Sequence, residues 1–440
     1  MYTKYLTVLA VATSAMASAA RPECAPFTDR NQYYFGSNGQ ILSAVQIETG
    51  KHTVPKASSE YFKRLIQMLK ARGTEVVVIP VPRSGFTLAG TLDPGEVNGN
   101  IFSKANAGDF KAQTLNAYQA TVDDLKNYGV TTVNFMEAAN AELALNPGVR
   151  LFFLQDGHWR PEGAKVAANA VGKILKEQKP ELTKLISTKT FKLLPLPSVS
   201  RDGFGWDVRV KLDCPKTDWK PLIETYPTVA TEITSGGSLL EDDNFPVLLA
   251  GSSYSADSYK MGLAQYLELS LGASVTNIAI NGGEAMSSIL DYYTFHNPKD
   301  IEPKLIIWEI PTQYIDYIST NSFSPITLRQ ILPLLAENPV LLEEHSIPKL
   351  GGSSTIDFTS PSLRGSSYFI KISLGNYESR AMDIVLSDGK EMQKVRLAKE
   401  RGRAAKEFTI ELDNSIELKN ITVSFPDTAS GSAKIAVYKY

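Results

Sequence analysis

Residues 247–259 read VLLAGSSYSADSY. The apolar residues Val247 to Ala250 fit a buried strand, Gly251 interrupts it, and Ser252, Ser253 and Ser255 precede a stretch with helical patterning. A serine in that place stands at the carboxyl edge of a sheet, where open α/β folds gather their sites. It also meets a helix N-terminus, whose free N–H groups can hold a developing oxyanion. Serines cap helices for structural reasons too, so this stretch alone leaves both readings open.

Working outward, similar units recur. Apolar strand candidates lie at 75–82 (EVVVIPVP), 130–136 (VTTVNFM), 275–281 (VTNIAIN) and 304–311 (KLIIWEIP). Helical patterns separate them at Tyr61–Lys70, Tyr118–Tyr128, 258–271 and 284–292. Strands that are apolar throughout, alternating with helices, predict an α/β domain with a parallel sheet sandwiched by helices, here over residues 25–345. After Pro348 the pattern changes. Gly351-Gly352-Ser353-Ser354 reads as a linker, followed by the short runs YFIKISL, AMDIVLS, EFTIEL, NITVSF and AKIAVYKY. Turn residues separate them at Gly375-Asn376, Asp388-Gly389 and Pro426-Asp427, which predicts a C-terminal all-β sandwich over 346–440.

The 440 residues carry a net charge of -2, with 43% hydrophobic and 21% charged side chains. That composition is globular and provides no global field for nucleic acid or an anionic membrane. Lys4, the apolar run Tyr5 to Ala12 and Ala17-Ser18-Ala19 read as an export signal spanning residues 1–19, with cleavage after Ala19. The apolar run is too short to span a bilayer. In an exported chain the two cysteines, Cys24 and Cys214, are expected to form one disulfide. Cysteine and histidine show no ligand spacing, so neither a metal nor another cofactor is expected.

Of the four histidines, one sits in a polar turn between an apolar run and a helix, in LFFLQDGHWRPEGA (151–164). Pro161 suits the first turn of that helix. Asp156 and His158 are two apart across Gly157, close enough for the carboxylate to reach an imidazole nitrogen. Such a contact fixes the tautomer and stabilises the imidazolium formed during proton transfer. A bare D-x-H is common by chance. Joined to the strand–glycine–serine–helix stretch, it points to a Ser253, His158, Asp156 triad.

Here the resemblance becomes specific. G-S-S-Y-S resembles the serine block of SGNH hydrolases, with Ser253 at the nucleophile position. D-G-H-W followed by P-E-G-A resembles the D-x-H-W motif of the AlgX/AlgJ family of alginate O-acetyltransferases, and I-I-W-E-I-P-x-x-Y (306–314) is similar to the same family. In both, the Asp/His motif precedes the serine, a permuted order relative to ordinary SGNH enzymes. The terminal β-domain resembles the carbohydrate-binding module of the AlgX branch.

The resemblance implies an acetyl-serine intermediate, mannuronate hydroxyls of alginate as acceptor and a periplasmic location. It also implies a donor passed on by membrane acetylation machinery, and other alginate biosynthesis and export proteins as partners. By position, Asn281-Gly282-Gly283 resembles the SGNH glycine block, so Gly282 is either an oxyanion donor or a plain turn residue; Tyr259 and Tyr314 fall where the family presents tyrosines to its groove, or are packing residues. Residues 390–406 carry seven cations (Lys390, Lys394, Arg396, Lys399, Arg401, Arg403, Lys406) against Glu391 and Glu400. In a carbohydrate-binding module that run suits a polyuronate; elsewhere it would be a solvated face. An esterase with the same triad, or a non-catalytic polysaccharide scaffold, are the rival readings.

Overall fold

The strand Glu75–Val81 is buried along its length after the first residue, so both of its faces must be covered. The computed structural model describes residues 33–35, 39–43, 50–85, 107–201, 205, 210, 212–215, 222–235, 247–296, 302–315, 325–360, 362–398 and 402–440. The expected signal segment and Cys24 lie outside the described residues.

Among the described residues, the first element is a short antiparallel ladder of β1 (Tyr33–Phe35) and β2 (Ile41–Ser43). The chain continues through α1 (Lys56–Ala71), β3 (Glu75–Val81), α2 (Ala107–Asn127), β4 (Thr131–Thr132), α3 (Phe135–Leu145), α4 (Pro161–Gln178) and α5 (Pro180–Ile186). Next come β5 (Thr190–Arg201), β6 (Glu224–Ser235), β7 (Val247–Ala250), α6 (Leu263–Leu271), β8 (Val275–Asn277), α7 (Ser287–Phe295), β9 (Leu305–Pro311) and α8 (Pro325–Ile331). The central sheet has the order β4-β3-β9-β7-β8 and every pairing in it is parallel. Alternate residues feed two cores. Val77, Ile79, Leu249 and Ile307 pack with α2, α3, α4 and α6, whereas Val76, Val78, Leu248, Ile306 and Trp308 pack with α1, α7 and α8. Burial on both faces is why these strands read as continuous apolar runs.

The second unit is a sandwich of two antiparallel sheets. Its strands are β10 (Val340–Ile347), β11 (Gly352–Asp357), β12 (Tyr368–Ser373), β13 (Ala381–Ser387), β14 (Met392–Ala398), β15 (Glu407–Glu411), β16 (Asn420–Phe425) and β17 (Ala433–Lys439). The sheet orders are β10-β17-β12-β15 and β11-β16-β13-β14, closed over a core that includes Ile370, Leu386, Val423 and Ile435.

Several local expectations need correction. The sandwich begins at Val340 rather than 346, because β10 pairs with β17 along its length; Glu343 and His345, half-buried and hydrogen-bonded to each other, put polar residues where an apolar face would have marked the strand. The supposed linker at 351–354 largely belongs to β11, whose small polar residues pair with β16. In 130–136 only Thr131–Thr132 is strand, since Asn134 accepts the Glu137 N–H at 3.1 Å and starts α3. The helix expected over 258–271 is broken: Lys260 (φ 53°) and Gly262 (φ 78°) adopt left-handed backbone between a single 3-10 turn and α6. The β5–β6 hairpin was not anticipated at all. It is a two-stranded arm, largely exposed, with prolines in β5 and two register shifts.

Candidate active site

Two loops meet at the carboxyl edge of the parallel sheet. One follows β7. Gly251 is obligatory there, because a Cβ would lie 2.6 Å from the Glu309 Oε2 on neighbouring β9. Beyond it the backbone turns tightly, with Ser255 and Ala256 N–H both donating to the Ser252 carbonyl at 3.1 Å. That turn leaves Ser253 half-buried at the edge while Ser252 and Ser255 point inward.

The other loop precedes α4. Phe153 N–H donates to the His158 carbonyl (3.1 Å) and Arg160 N–H to the Leu151 carbonyl (2.8 Å), closing a tight hairpin around Asp156 and Gly157. Gly163 on α4 permits the fit, since a Cβ would sit 2.9 Å from the Trp159 Cβ and collide with the Leu151 carbonyl. Buried Gln155 anchors the loop by donating to the Gly39 carbonyl (2.7 Å) and accepting from Leu222 N–H (2.8 Å).

The loops are stitched together by their aromatic residues. Trp159, fully buried, donates its indole N–H to the Tyr254 carbonyl at 2.8 Å, and the Tyr254 hydroxyl donates to the Gly157 carbonyl at 2.7 Å. The two bonds run in opposite directions between residues adjacent to His158 and to Ser253. The result is a continuous line: His158 Nε2 is 2.7 Å from Ser253 Oγ, and His158 Nδ1 is 2.6 Å from Asp156 Oδ1. Asp156 Oδ1 also accepts the His158 N–H at 3.0 Å. His158 lies between two rings, Tyr254 at 4.5 Å and Tyr259 stacked at 5.1 Å.

Sequence reasoning missed Arg201. The last residue of β5, it is buried, ion-pairs with Asp156 Oδ2 and lies 3.4 Å from His158 Nδ1. Its guanidinium also covers the Phe153 ring at 4.6 Å and the Tyr259 ring at 5.0 Å. Burial on its own would raise the Asp156 carboxyl, but the charge and hydrogen bonds of His158 and the charge of Arg201 outweigh it and hold its pKa below the usual value. Gly205 closes the back of this carboxylate; at φ +88°, a Cβ there would lie 2.8 Å from Asp156 Cγ.

Glu309, the single acid in the apolar run of β9, lies directly beneath the serine turn. Its carboxyl accepts from Ser252 N–H (2.8 Å), Ser252 Oγ (3.1 Å) and Ser255 Oγ (3.0 Å). Burial pushes it up to about 7 against the pull of those hydrogen bonds.

The remaining expectations divide. Tyr259 is at the site, its hydroxyl donating to Asn281 Oδ1 at 3.3 Å. Gly282 is exposed at φ 68° in a turn closed by Gly283 N–H to the Ile280 carbonyl (2.8 Å). Tyr314 packs at the margin of the core that holds Trp308. Cys214 is buried and disulfide-bonded, with its expected partner Cys24 outside the described residues. The described cations of the basic run stay solvent-exposed, and several of them carry an acidic partner. Lys399 and Arg401 lie outside the described residues, while Arg396 pairs with Asp383 (3.1 Å), Arg403 with Asp291 (3.0 Å) and Lys406 with Glu378 (3.8 Å). Lys394 projects outward from β14, an edge strand. Among the described residues, no three His, Cys, Asp or Glu side chains are grouped to hold a metal, and no helix is long and apolar enough to cross a membrane.

A parallel sheet with serine, histidine and aspartate gathered at its carboxyl edge is the arrangement of an SGNH hydrolase-like domain. The chain belongs to the family described as "SGNH hydrolase-like domain, acetyltransferase AlgX", whose sequence profile matches residues 43–312. It is similar to the alginate biosynthesis protein AlgX of Pseudomonas aeruginosa, 27% identical over 311 residues, covering 66% of this chain and 60% of that protein. It is also similar to the probable alginate O-acetylase AlgJ of Pseudomonas fluorescens, 27% identical over 255 residues, 57% of this chain and 59% of that one. The matches thus span about three fifths of the length of these curated relatives. The solved structure of Pseudomonas aeruginosa AlgX superposes with a TM-score of 0.74 over 93% of this chain and 94% of that chain, at 19% identity, and so shares the two-part fold.

Proposed function

We propose that this chain is a serine-dependent O-acetyltransferase that works in the periplasm and acetylates hydroxyls of mannuronate residues in alginate. The observation that carries the reading is the unbroken line from Asp156 through His158 to Ser253. Family membership supports the acetyl chemistry, and the names of the relatives supply the polymer.

The chemistry follows from the atoms in place. His158 Nε2 takes the Ser253 proton as Oγ attacks the acetyl carbonyl. The collapsing tetrahedral intermediate expels the donor, which leaves with that proton, and acetyl-serine remains. A sugar hydroxyl then gives its proton to His158 and attacks the acetyl group, and Ser253 leaves reprotonated by the same imidazole. Asp156 keeps Nδ1 protonated and stabilises the imidazolium in both halves. The Gly282 N–H, in its exposed turn near Asn281 and Tyr259, is the candidate oxyanion donor. The donor itself would be handed on by membrane acetylation machinery acting with export proteins of the same pathway. The stacked Tyr259 ring and the sandwich surface around Lys394 are the candidate polymer contacts.

Ser253→Ala should lower acetyl transfer from a small acetyl ester to polymannuronate by roughly a thousandfold or more, with the protein still folded. Activity within tenfold of wild type would remove Ser253 from the mechanism. Acetate released to water in place of polymer-bound acetyl would make the enzyme an esterase.

A further inference from the structure

One buried carboxylate lies against the serine turn but takes no part in the triad. Glu309 sits in the middle of β9, fully buried in an otherwise apolar strand, directly under the turn that carries Ser253. We propose that Glu309 is a positioning residue for the nucleophile: as a carboxylate it gathers the donors of Ser252 and Ser255 and so holds the turn that aims Ser253 at His158. The inference rests on the acyl-transfer reading of the site.

The geometry is that of an acceptor-only socket. Three donors converge on the carboxyl, namely Ser252 N–H, Ser252 O–H and Ser255 O–H. An ionised carboxylate accepts all of them and has nothing to donate. Gly251 brings the backbone so close that no side chain fits between, and the Gly251 N–H is itself fixed by Ser288 Oγ at 3.1 Å. Ser252 Oγ in turn accepts the Tyr254 N–H at 3.3 Å, so the socket grips both neighbours of Ser253. Protonating Glu309 introduces a donor that needs an acceptor. The Ser252 hydroxyl would have to reverse, and the turn would lose a bond on one side of the nucleophile. The charged or titratable groups that face this region are Arg83 after β3, Tyr254 in the serine loop, Tyr314 after β9, Glu284 before α7 and, beyond Tyr254, Asp156 of the triad. Both tyrosines are held above their usual range, first by burial, and stay neutral where enzymes work; Arg83 stays cationic. Glu309 is therefore the group in this socket whose charge can change near neutrality.

The test uses the full-length protein and hydrolysis of a small acetyl ester, which needs no polymer. In wild type the acid limb of log kcat against pH should be steeper than one ionisation, because His158 and Glu309 must both lose a proton. Glu309→Gln should lower kcat about 10- to 100-fold with KM within about twofold, and its acid limb should follow a single ionisation. Ser255→Ala, which removes one donor from the carboxylate, should move the acid limb to higher pH. A wild-type limb with the slope of one ionisation, or Glu309→Gln with wild-type kcat and profile, overturns the proposal. Should Glu309→Gln fail to fold, the wild-type slope and the Ser255→Ala shift decide the matter. Labelling of Ser253 by an organophosphonate separates the two levels: no labelling in wild type sinks the acyl-transfer reading itself, whereas labelled wild type with an unchanged Glu309→Gln profile sinks only the role of Glu309.

Discussion

Asp156 is shared between a half-buried imidazole on one oxygen and a buried guanidinium on the other. Losing Arg201 leaves that second oxygen in a low-dielectric pocket with no charge beside it, a change that costs about 3 kcal/mol when a buried pair is broken. The pH sign follows from the depressed Asp156 carboxyl. Its contribution is present above the unfolded value near 3.8 and is lost as pH falls through the lower folded value. Arg201→Met should therefore be less stable at neutral pH and should unfold in acid at a higher pH than wild type, with Arg201→Lys in between; an unchanged acid midpoint by circular dichroism would show that Arg201 does not hold Asp156. Asp156, His158 and Ser253 were legible in the sequence because each lies in a short motif that fixes its own local turn. Arg201 was not, because only the β5–β6 arm brings it across to Asp156. Glu309 left one trace, a single acid in the apolar run LIIWEIP.

At the scale of elements, the site depends on two loops keeping their distance, and aromatic residues beside the reacting groups set it. Tyr254→Phe deletes the hydroxyl that bonds the Gly157 carbonyl and leaves a buried acceptor unpaired, which costs about 1–2 kcal/mol. The expected outcome is that loss in urea unfolding, together with a lower kcat and little change in KM for a small ester; an altered KM with normal kcat would place Tyr254 in binding instead. The same scale shows what patterning could reveal. The strands β3, β7 and β9 are buried on both faces and declare themselves as apolar runs. The arm strands β5 and β6 bury few residues, so nothing in their sequence forces a period. β14 lay inside the basic run: its outward residues Lys394 and Arg396 supply charge, while Val395 and Leu397 face the core. Charge caught the eye there, and the alternation beneath it decided the structure.

For the whole molecule, the sequence separated an α/β unit from a β-sandwich but placed the boundary inside β10, whose alternation is masked by exposed Val340 to Leu342 and the acidic pair after them. It also gave no sign of how the two units are joined, because the joint is made of polar residues distant in sequence. Arg64 on α1 forms a bidentate pair with Glu411 at the end of β15 (2.6 and 2.9 Å), and Arg329 on α8 reaches Asp413 and the Glu411 carbonyl. Arg403, one of the cations of the basic run, also pairs with Asp291 and covers the Phe295 ring of α7. These joints differ in burial. The Glu411 side chain is 0% exposed and Arg64 24%, whereas Arg403 is 58% exposed. Burial raises the Glu411 carboxyl even against the pull of Arg64, its strongest partner, with Tyr440 and Arg329 helping to hold the charge. Arg64→Met should therefore cost about 3 kcal/mol. The sign with pH is set by the raised carboxyl: its burial costs least when protonated, so the loss should grow as pH rises from 5 to 8. Arg403→Met, removing an exposed pair, should cost about 0–1 kcal/mol, with little pH dependence. Urea denaturation of both variants at the two pH values is the measurement; equal losses, or an Arg64→Met loss that shrinks toward pH 8, would mean that the buried Glu411 pair is not what holds the sandwich against the catalytic unit.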